Sequence, residues 1–480
     1  MHSVGILCVL LVMAVGLVVL ARRLSVPPPI ALVTGGLALS FVPAMPSIEL
    51  APNLVFELFL PPLLYYAAWH TSWRDFRRNL GIISWLAIGL VLTTTGLVAA
   101  VAHWGIGLQW SAAFVLGAIV SPTDAVAATS VAQRLGVPRR IITIIEGESL
   151  VNDATGIVAY RLAVAAVLTG IFSILQAGFQ FLTVGTGGIL VGLLVGWAIV
   201  HVRRRLRHAD VENTVALITP FAAYFAAEEL HVSGVLASVT VGLYVARYTP
   251  RLTSPDSRLK GLAFWDMLDF LLNSVLFLLV GLQLRSILKG VGSHEPTLLI
   301  GYALLISFTV IVARIAWVFP ATYLPQLVSK RLRQRDPYQP WRNVAIVALT
   351  GLRGAVSLAA ALALPYATST GSPFPTRDLI IFLTSSVILV TLVLQGLSLP
   401  TLIRALKLHD DRSWEKEEAW ARLRIANTAL KKVEQLVAGG ELDVNLANRM
   451  RADFEHRLKH AEADLAEGET VEKRDDGYRD

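Results

Sequence analysis

The chain has 480 residues, 54% of them hydrophobic and 16% charged, with a mean hydropathy of +0.59 and a formal net charge of +7. That balance is too apolar for a soluble protein of this length, and the single cysteine, Cys8, excludes intrachain disulfides and cysteine-based metal or redox centres. Apolar runs of about 17 to 25 residues, the length a helix needs to cross a hydrocarbon core of about 30 Å, recur over the first four fifths of the chain, so the expected class is an all-α polytopic membrane protein.

Thirteen hydrophobic segments are expected, centred near residues 12, 36, 60, 91, 121, 155, 190, 222, 239, 273, 309, 353 and 391. The first, Val4 to Leu20, reads as a membrane helix and not a secretory signal, because Arg22 and Arg23 follow it and no small-x-small cleavage site does. Alternate loops are basic: Arg22 and Arg23; Arg74 to Arg78; Arg134 to Arg140; Arg203 to Arg207; Arg247 to Lys260; Lys330 to Arg342. Together they hold 21 Lys and Arg, against Arg285, Lys289 and Arg377 in the loops between them. The positive-inside rule makes the basic loops cytoplasmic, which predicts an N-terminus outside and a C-terminus inside.

The fifth segment carries GAIVSPTDAVAATS. Pro122 removes a backbone donor and clashes with the preceding turn, so a helix break is expected near Ser121 to Thr123. Broken helices at membrane depth line cavities. Asp124, just after the break, serves either as the cap of the new helix or as a direct ion ligand.

The sixth segment carries EGESLVNDATGIV. Helical spacing puts Glu146, Ser149 and Asp153 on one face, with Glu148 and Asn152 on an adjacent one. Glu146 falls near the cytoplasmic end, beside Arg139 and Arg140. Asp153 lies about 10 Å deeper, and a carboxylate at that depth, costing roughly 2.5 to 3.5 kcal/mol to insert, marks a functional site.

In the tenth segment, Asp266 and Asp269 are expected to line a mouth or to pack. The twelfth carries GLRGAVSLAA, where Gly351 and Gly354 permit a second unwound stretch around Arg353. A fixed guanidinium there needs an acidic partner, and Glu148 is the expected one. Fifth and twelfth segments are thus a pair of interrupted small-residue helices, the pattern of inverted-repeat transporters. Arg161 and Arg314 are left without assigned partners.

The character changes at about His409, giving a membrane domain over residues 1–407 and a helical tail over 408–480. The tail holds 13 basic and 18 acidic side chains, a net of −5 that leaves +12 in the membrane part. The positive charge therefore follows membrane orientation, and no nucleic-acid partner is implied. No phosphate loop or Ser/His/Asp arrangement is present, and no cofactor or enzymatic activity is expected.

LPPLL at 60–64, SPTDAVA at 121–127, EGESLVNDATGIV at 146–158, FLLNSVLFLLVGLQL at 270–284 and GLRGAVSLA at 351–359 together resemble the monovalent cation/proton antiporters that include the bacterial NhaP type and the animal sodium/proton exchangers. The resemblance implies thirteen helices in two inverted repeats with discontinuous crossing helices, and a core moving against a dimer-forming domain. It also implies electroneutral exchange of Na⁺, or of K⁺ or Li⁺, for H⁺ in a bacterial inner membrane. Residue by residue, it makes Asp153 the ion- and proton-binding carboxylate. Ser149 and Thr123 become further ligands of the monovalent metal ion, Asn152 with Asp124 stabilises the helix crossing, and Glu148 with Arg353 is the supporting ion pair.

One position departs. Relatives carry an acidic residue shortly after LPP, where this chain has Tyr65 and Tyr66, so ion choice rests on other groups. Two other classes fit the composition: a cation channel, and a membrane sensor whose output is the tail. A single deep carboxylate is unlike the repeated rings of a channel filter.

Overall fold

A computed structural model describes residues 3–24, 26–42, 55–170, 174–206, 208–291, 295–328, 340–368, 371–406 and 413–476. Arg207 and most of the last basic loop, Lys330, Arg331, Arg333 and Arg335, lie outside these residues. The chain separates into two compact units, Met1–Leu408 and His409–Asp480.

The regular structure of the first unit's described residues is helical apart from one isolated β-bridge, Ala367 with Pro373. It begins with α1 (Ser3–Arg23), α2 (Pro28–Ser40) and α3 (Leu60–His70). Next comes the long α4 (Trp73–Ile106), which contains π-helical turns and starts where the Ser72 hydroxyl accepts from the Asp75 amide at 3.4 Å. The interrupted pair α5 (Trp110–Val120) and α6 (Ala125–Arg134) leads to α7 (Arg139–Thr169), which ends on Gly170 at φ +71°. Then follow α8 (Ile174–Arg203), α9 (Ala209–Glu229), α10 (Gly234–Leu252), α11 (Pro255–Gly290) and α12 (Pro296–Val328). A second interrupted pair, α13 (Trp341–Leu349) and α14 (Ala355–Leu362), precedes α15 (Arg377–Ala405).

Each expected hydrophobic segment falls on a helix or on the break between two. Among the described residues, six helices are long and apolar enough to cross a membrane, and Pro28–Ser40 and Trp110–Val120 are shorter apolar helices. Apolar side chains such as Leu182, Leu190 and Leu194 stand exposed along α8, as a lipid-facing surface requires.

The buried apolar residues form three clusters, two of which include α7. Its neighbours α4 and α5, together with α12 to α15, belong to the largest cluster. On another side, Leu150, Ala154 and Ile157 of α7 form a separate apolar seam with Leu60 and Leu64 of α3, Tyr224 of α9, and Val235, Val239 and Leu243 of α10. A third cluster joins α3, α8, α9, α10 and α11 around Tyr65 and Trp265.

The second unit consists of α16 (Ser413–Ala438) and α17 (Val444–Asp476), joined at Gly439 and Gly440. Ala419, Ala426 and Val433 recur every seven residues on α16 and are buried, as are Ala447 and Ala461 of α17. That spacing is the one that lets two helices share an apolar stripe.

Candidate functional site

The site is built where the two interrupted pairs meet α7. Pro122 ends α5 at Val120, and the chain runs extended to Asp124 before α6 begins. The carboxylate of Asp124 caps α6 by accepting from the Val126 amide at 2.8 Å. In the second pair the helix stops at Leu349, and residues 350–354 are unwound before Ala355. A single backbone bond ties the two breaks together, the Asp124 amide donating to the Leu352 carbonyl at 2.8 Å.

Gly354 is needed at this contact, because a Cβ there would lie 1.9 Å from Oδ2 of Asp124. Gly156 of α7 has the same character, since a Cβ would lie 2.2 Å from Cγ of Pro122. Residues that read as helix-tolerant small positions are where the backbone must come close.

From α7, three polar side chains bind the first break. The Ser149 hydroxyl donates to the Thr123 carbonyl at 2.9 Å and accepts from the Ala125 amide at 3.2 Å. Asn152 donates through Nδ2 to the Thr123 hydroxyl at 2.7 Å, and that hydroxyl donates to Oε1 of Glu148 at 3.2 Å. These contacts supply partners for backbone groups that the broken helix leaves without them.

Asp153, one turn beyond Ser149, is 8% exposed and accepts no hydrogen bond from any described residue. Asp124 lies within electrostatic range of it. A buried carboxylate without donors is poorly stabilised as an anion, so it has a strong physical reason to take up a proton or a cation.

The expected pairing of Glu148 with Arg353 is not what the structure contains. Glu148, 1% exposed, is held by Arg314 of α12 in a bidentate contact, Nη1 to Oε1 at 2.5 Å and Nη2 to Oε2 at 2.9 Å. Arg314 also donates to the Val347 carbonyl at 3.2 and 2.9 Å. Arg353, fully buried, donates through Nε to the Val120 carbonyl at 3.1 Å and through Nη1 to the Gly351 carbonyl. Its amide donates to the Thr391 hydroxyl of α15 at 3.2 Å. Arg314 is paired with a carboxylate, whereas Arg353 is held by freed carbonyls alone and keeps its buried Nη2 without a partner. Which arginine reached Glu148 depended on helix packing, and helical angle alone carries no such signal.

The other isolated charges also find partners. Arg161 of α7 contacts both oxygens of Glu228 of α9, at 2.9 and 3.0 Å. Of the two tyrosines that follow LPPLL, Tyr65 is buried with its ring 5.1 Å from that of Trp265. Tyr66 donates its hydroxyl to Asp266 at 2.8 Å. Asp269 accepts from Asn273 at 2.9 Å and lies within electrostatic range of Asp124.

The sequence matches the family described as sodium/hydrogen exchanger, transmembrane, over residues 9–405. It is 38% identical to an uncharacterized Na⁺/H⁺ exchanger of Mycobacterium tuberculosis over 94% of this chain and 83% of that one. Identity is 32% to the sodium, potassium, lithium and rubidium/H⁺ antiporter of Bacillus subtilis, over 91% of this chain and 66% of the other. The fold resembles that of the sodium proton antiporter MjNhaP1 from Methanocaldococcus jannaschii, with a TM-score of 0.68, 21% identity, and coverage of 84% and 98%. The chain belongs to the transmembrane sodium/hydrogen exchanger family, a family of multi-pass membrane transporters and not of enzymes.

Proposed function

We propose that this protein exchanges a monovalent cation for H⁺, one for one, by alternating access at Asp153. Na⁺ is the foremost substrate, with K⁺ and Li⁺ as alternatives, and the protein works as a homodimer in a bacterial inner membrane, N-terminus outside and tail in the cytoplasm. The observation that carries the reading is the carboxylate of Asp153, buried without a hydrogen-bond donor among the described residues, beside the crossing of two broken helices.

The mechanism follows from one carboxylate serving two cargoes. Asp153 binds a proton or a dehydrated cation but not both, so each exposure of the site carries one or the other, and electroneutral exchange results. Asn152 beside it cannot titrate, so no second proton travels there. Ser149, Thr123 and Asp124 frame the cation's approach. The Arg314–Glu148 pair and Arg353 hold the framework in which Asp153 sits. Polar contacts bind α7 to the first break and to Arg314, whereas the seam of α7 with α3, α9 and α10 is apolar apart from the Arg161–Glu228 pair. Non-directional contacts allow sliding, so α7 and the breaks move together against those helices.

Proteoliposomes loaded with a pH-sensitive dye test the reading. Wild type should acidify or alkalinise the lumen according to the imposed Na⁺ gradient, and Asp153→Asn should reduce exchange to the protein-free level while keeping its size-exclusion profile. Competition also fixes the sign of the pH effect: lowering pH protonates Asp153, so the half-saturating cation concentration must rise. A variant that retained full exchange, or a half-saturating concentration constant over two pH units, would sink the proposal.

A further inference from the structure

Away from the crossing, α4, α5, α7 and α8 line a partly open cavity of about 1050 Å³, with Thr368, Ser372, Pro373 and Pro375 along one edge. No described lining residue carries a charge, so among the described residues it lacks a carboxylate that would bind the transported ions. Its volume is at the upper end of pockets that hold drug-sized ligands, roughly 300 to 1,000 Å³, and far exceeds what a dehydrated cation needs.

Its polarity is ordered along the helix axes. Gln109, Trp110, Ser111 and Thr169 stand at one end, at the loops opposite the basic ones. Deeper in, Leu92, Phe114, Ala159 and Ala163 make an apolar shaft. Two walls give the depth. From Ala159 to Gly170 the helical rise corresponds to about 16 Å, and from Leu92 to the end of α4 to about 21 Å, against about 15 Å for one leaflet of a 30 Å hydrocarbon core. Trp110 stacks with His103 at 4.3 Å and meets Trp104 edge-on at 5.6 Å, an aromatic group at the level where tryptophans mark a membrane interface.

We propose that this cavity is a lipid site: it takes one acyl chain of an uncharged or zwitterionic membrane lipid from the leaflet opposite the basic loops. The ester region lies at the uncharged polar mouth and the chain lies between α7 and α8. An apolar shaft at least one leaflet deep, with its polar groups gathered at the mouth apart from the Thr95 hydroxyl, matches an amphiphile. The lack of lining cations excludes selection for an anionic headgroup. The site does not depend on the exchange reaction, and its test is separate from that of Asp153.

The full-length protein is purified from membranes containing phosphatidylethanolamine that carries a diazirine in mid-chain, irradiated, and mapped by peptide mass spectrometry. Label should concentrate on residues 159–170 and 177–181, at about one lipid per chain. An added Cβ at Gly178 meets nothing within 4 Å, so Gly178→Trp can project into open space; this variant and, separately, Ala166→Phe should cut the cavity label at least fivefold. Label spread at equal yield over Leu182, Leu190 and Leu194 of exposed α8 would mean that lipid only surrounds the protein, and would overturn the site. So would cavity label unchanged in both filled variants. If neither variant folds, the wild-type map alone decides between these outcomes.

Discussion

Two faces of α7 are held by opposite kinds of contact. Toward the broken helices, Glu148, Ser149 and Asn152 are joined to named donors and acceptors at 2.5 to 3.2 Å, each with a required direction. Toward α3, α9 and α10, Leu150, Ala154 and Ile157 present only apolar surface. Directional contacts fix one arrangement, because moving either partner leaves a buried polar group unsatisfied. Apolar contacts tolerate displacement so long as area stays covered. The helix that carries Asp153 is therefore held by directional contacts on one side and, apart from the Arg161–Glu228 pair, by apolar ones on the other.

Substitutions can break this contrast in graded steps. Glu148→Gln leaves the Arg314 guanidinium buried without its counter-charge, and should destabilise the protein by about 3 to 5 kcal/mol. A thermal melt followed by size-exclusion fluorescence should show the largest loss of the set, partly recovered in the double variant Glu148→Gln with Arg314→Met. If the single variant melts like wild type, the pair does not hold the crossing. Gly354→Ala forces a methyl group into the Asp124 carboxylate; about 1 to 3 kcal/mol of overpacking and a severalfold slower exchange are expected.

On the apolar side, Ile157→Val should cost only about 0.5 to 1.5 kcal/mol and leave cation affinity unchanged, since no polar group is disturbed. A change in affinity without a change in melting would mean that the seam shapes the ion site. The smallest effect belongs to Arg161→Gln. Its partner Glu228 lies across from α7 on α9, but both side chains are substantially exposed, 43% and 29%, so stability should change by no more than about 1 kcal/mol. A loss as large as that of Glu148→Gln would contradict this ranking.

Much of the architecture was legible in the chain because its signals are local. Pro122 announces the first break, Gly351 and Gly354 the second, and the depth of Asp153 follows from counting residues from Arg139. The hydrophobic runs locate the helices for the same reason. Partner choice is a different kind of information. Glu148 had two candidate arginines, and the sequence favoured the one in the conspicuous glycine-flanked motif. Arg314, in an unremarkable apolar run of α12, reached it instead. Arg161 likewise met Glu228 across 67 positions of sequence, a distance over which helical periodicity says nothing. The close approaches at Gly156 and Gly354 were visible only as small residues, with no sign of what pressed against them.

The position of Arg353 has a consequence for the electrostatics of the crossing. Interrupted helices expose carbonyl ends that attract cations, and here the carbonyls of Val120 and Gly351 already receive the guanidinium. The protein thus carries a built-in, non-exchangeable counter-ion at one end of its broken helices. A mobile cation would meet competition there from a charge that is fixed to the chain.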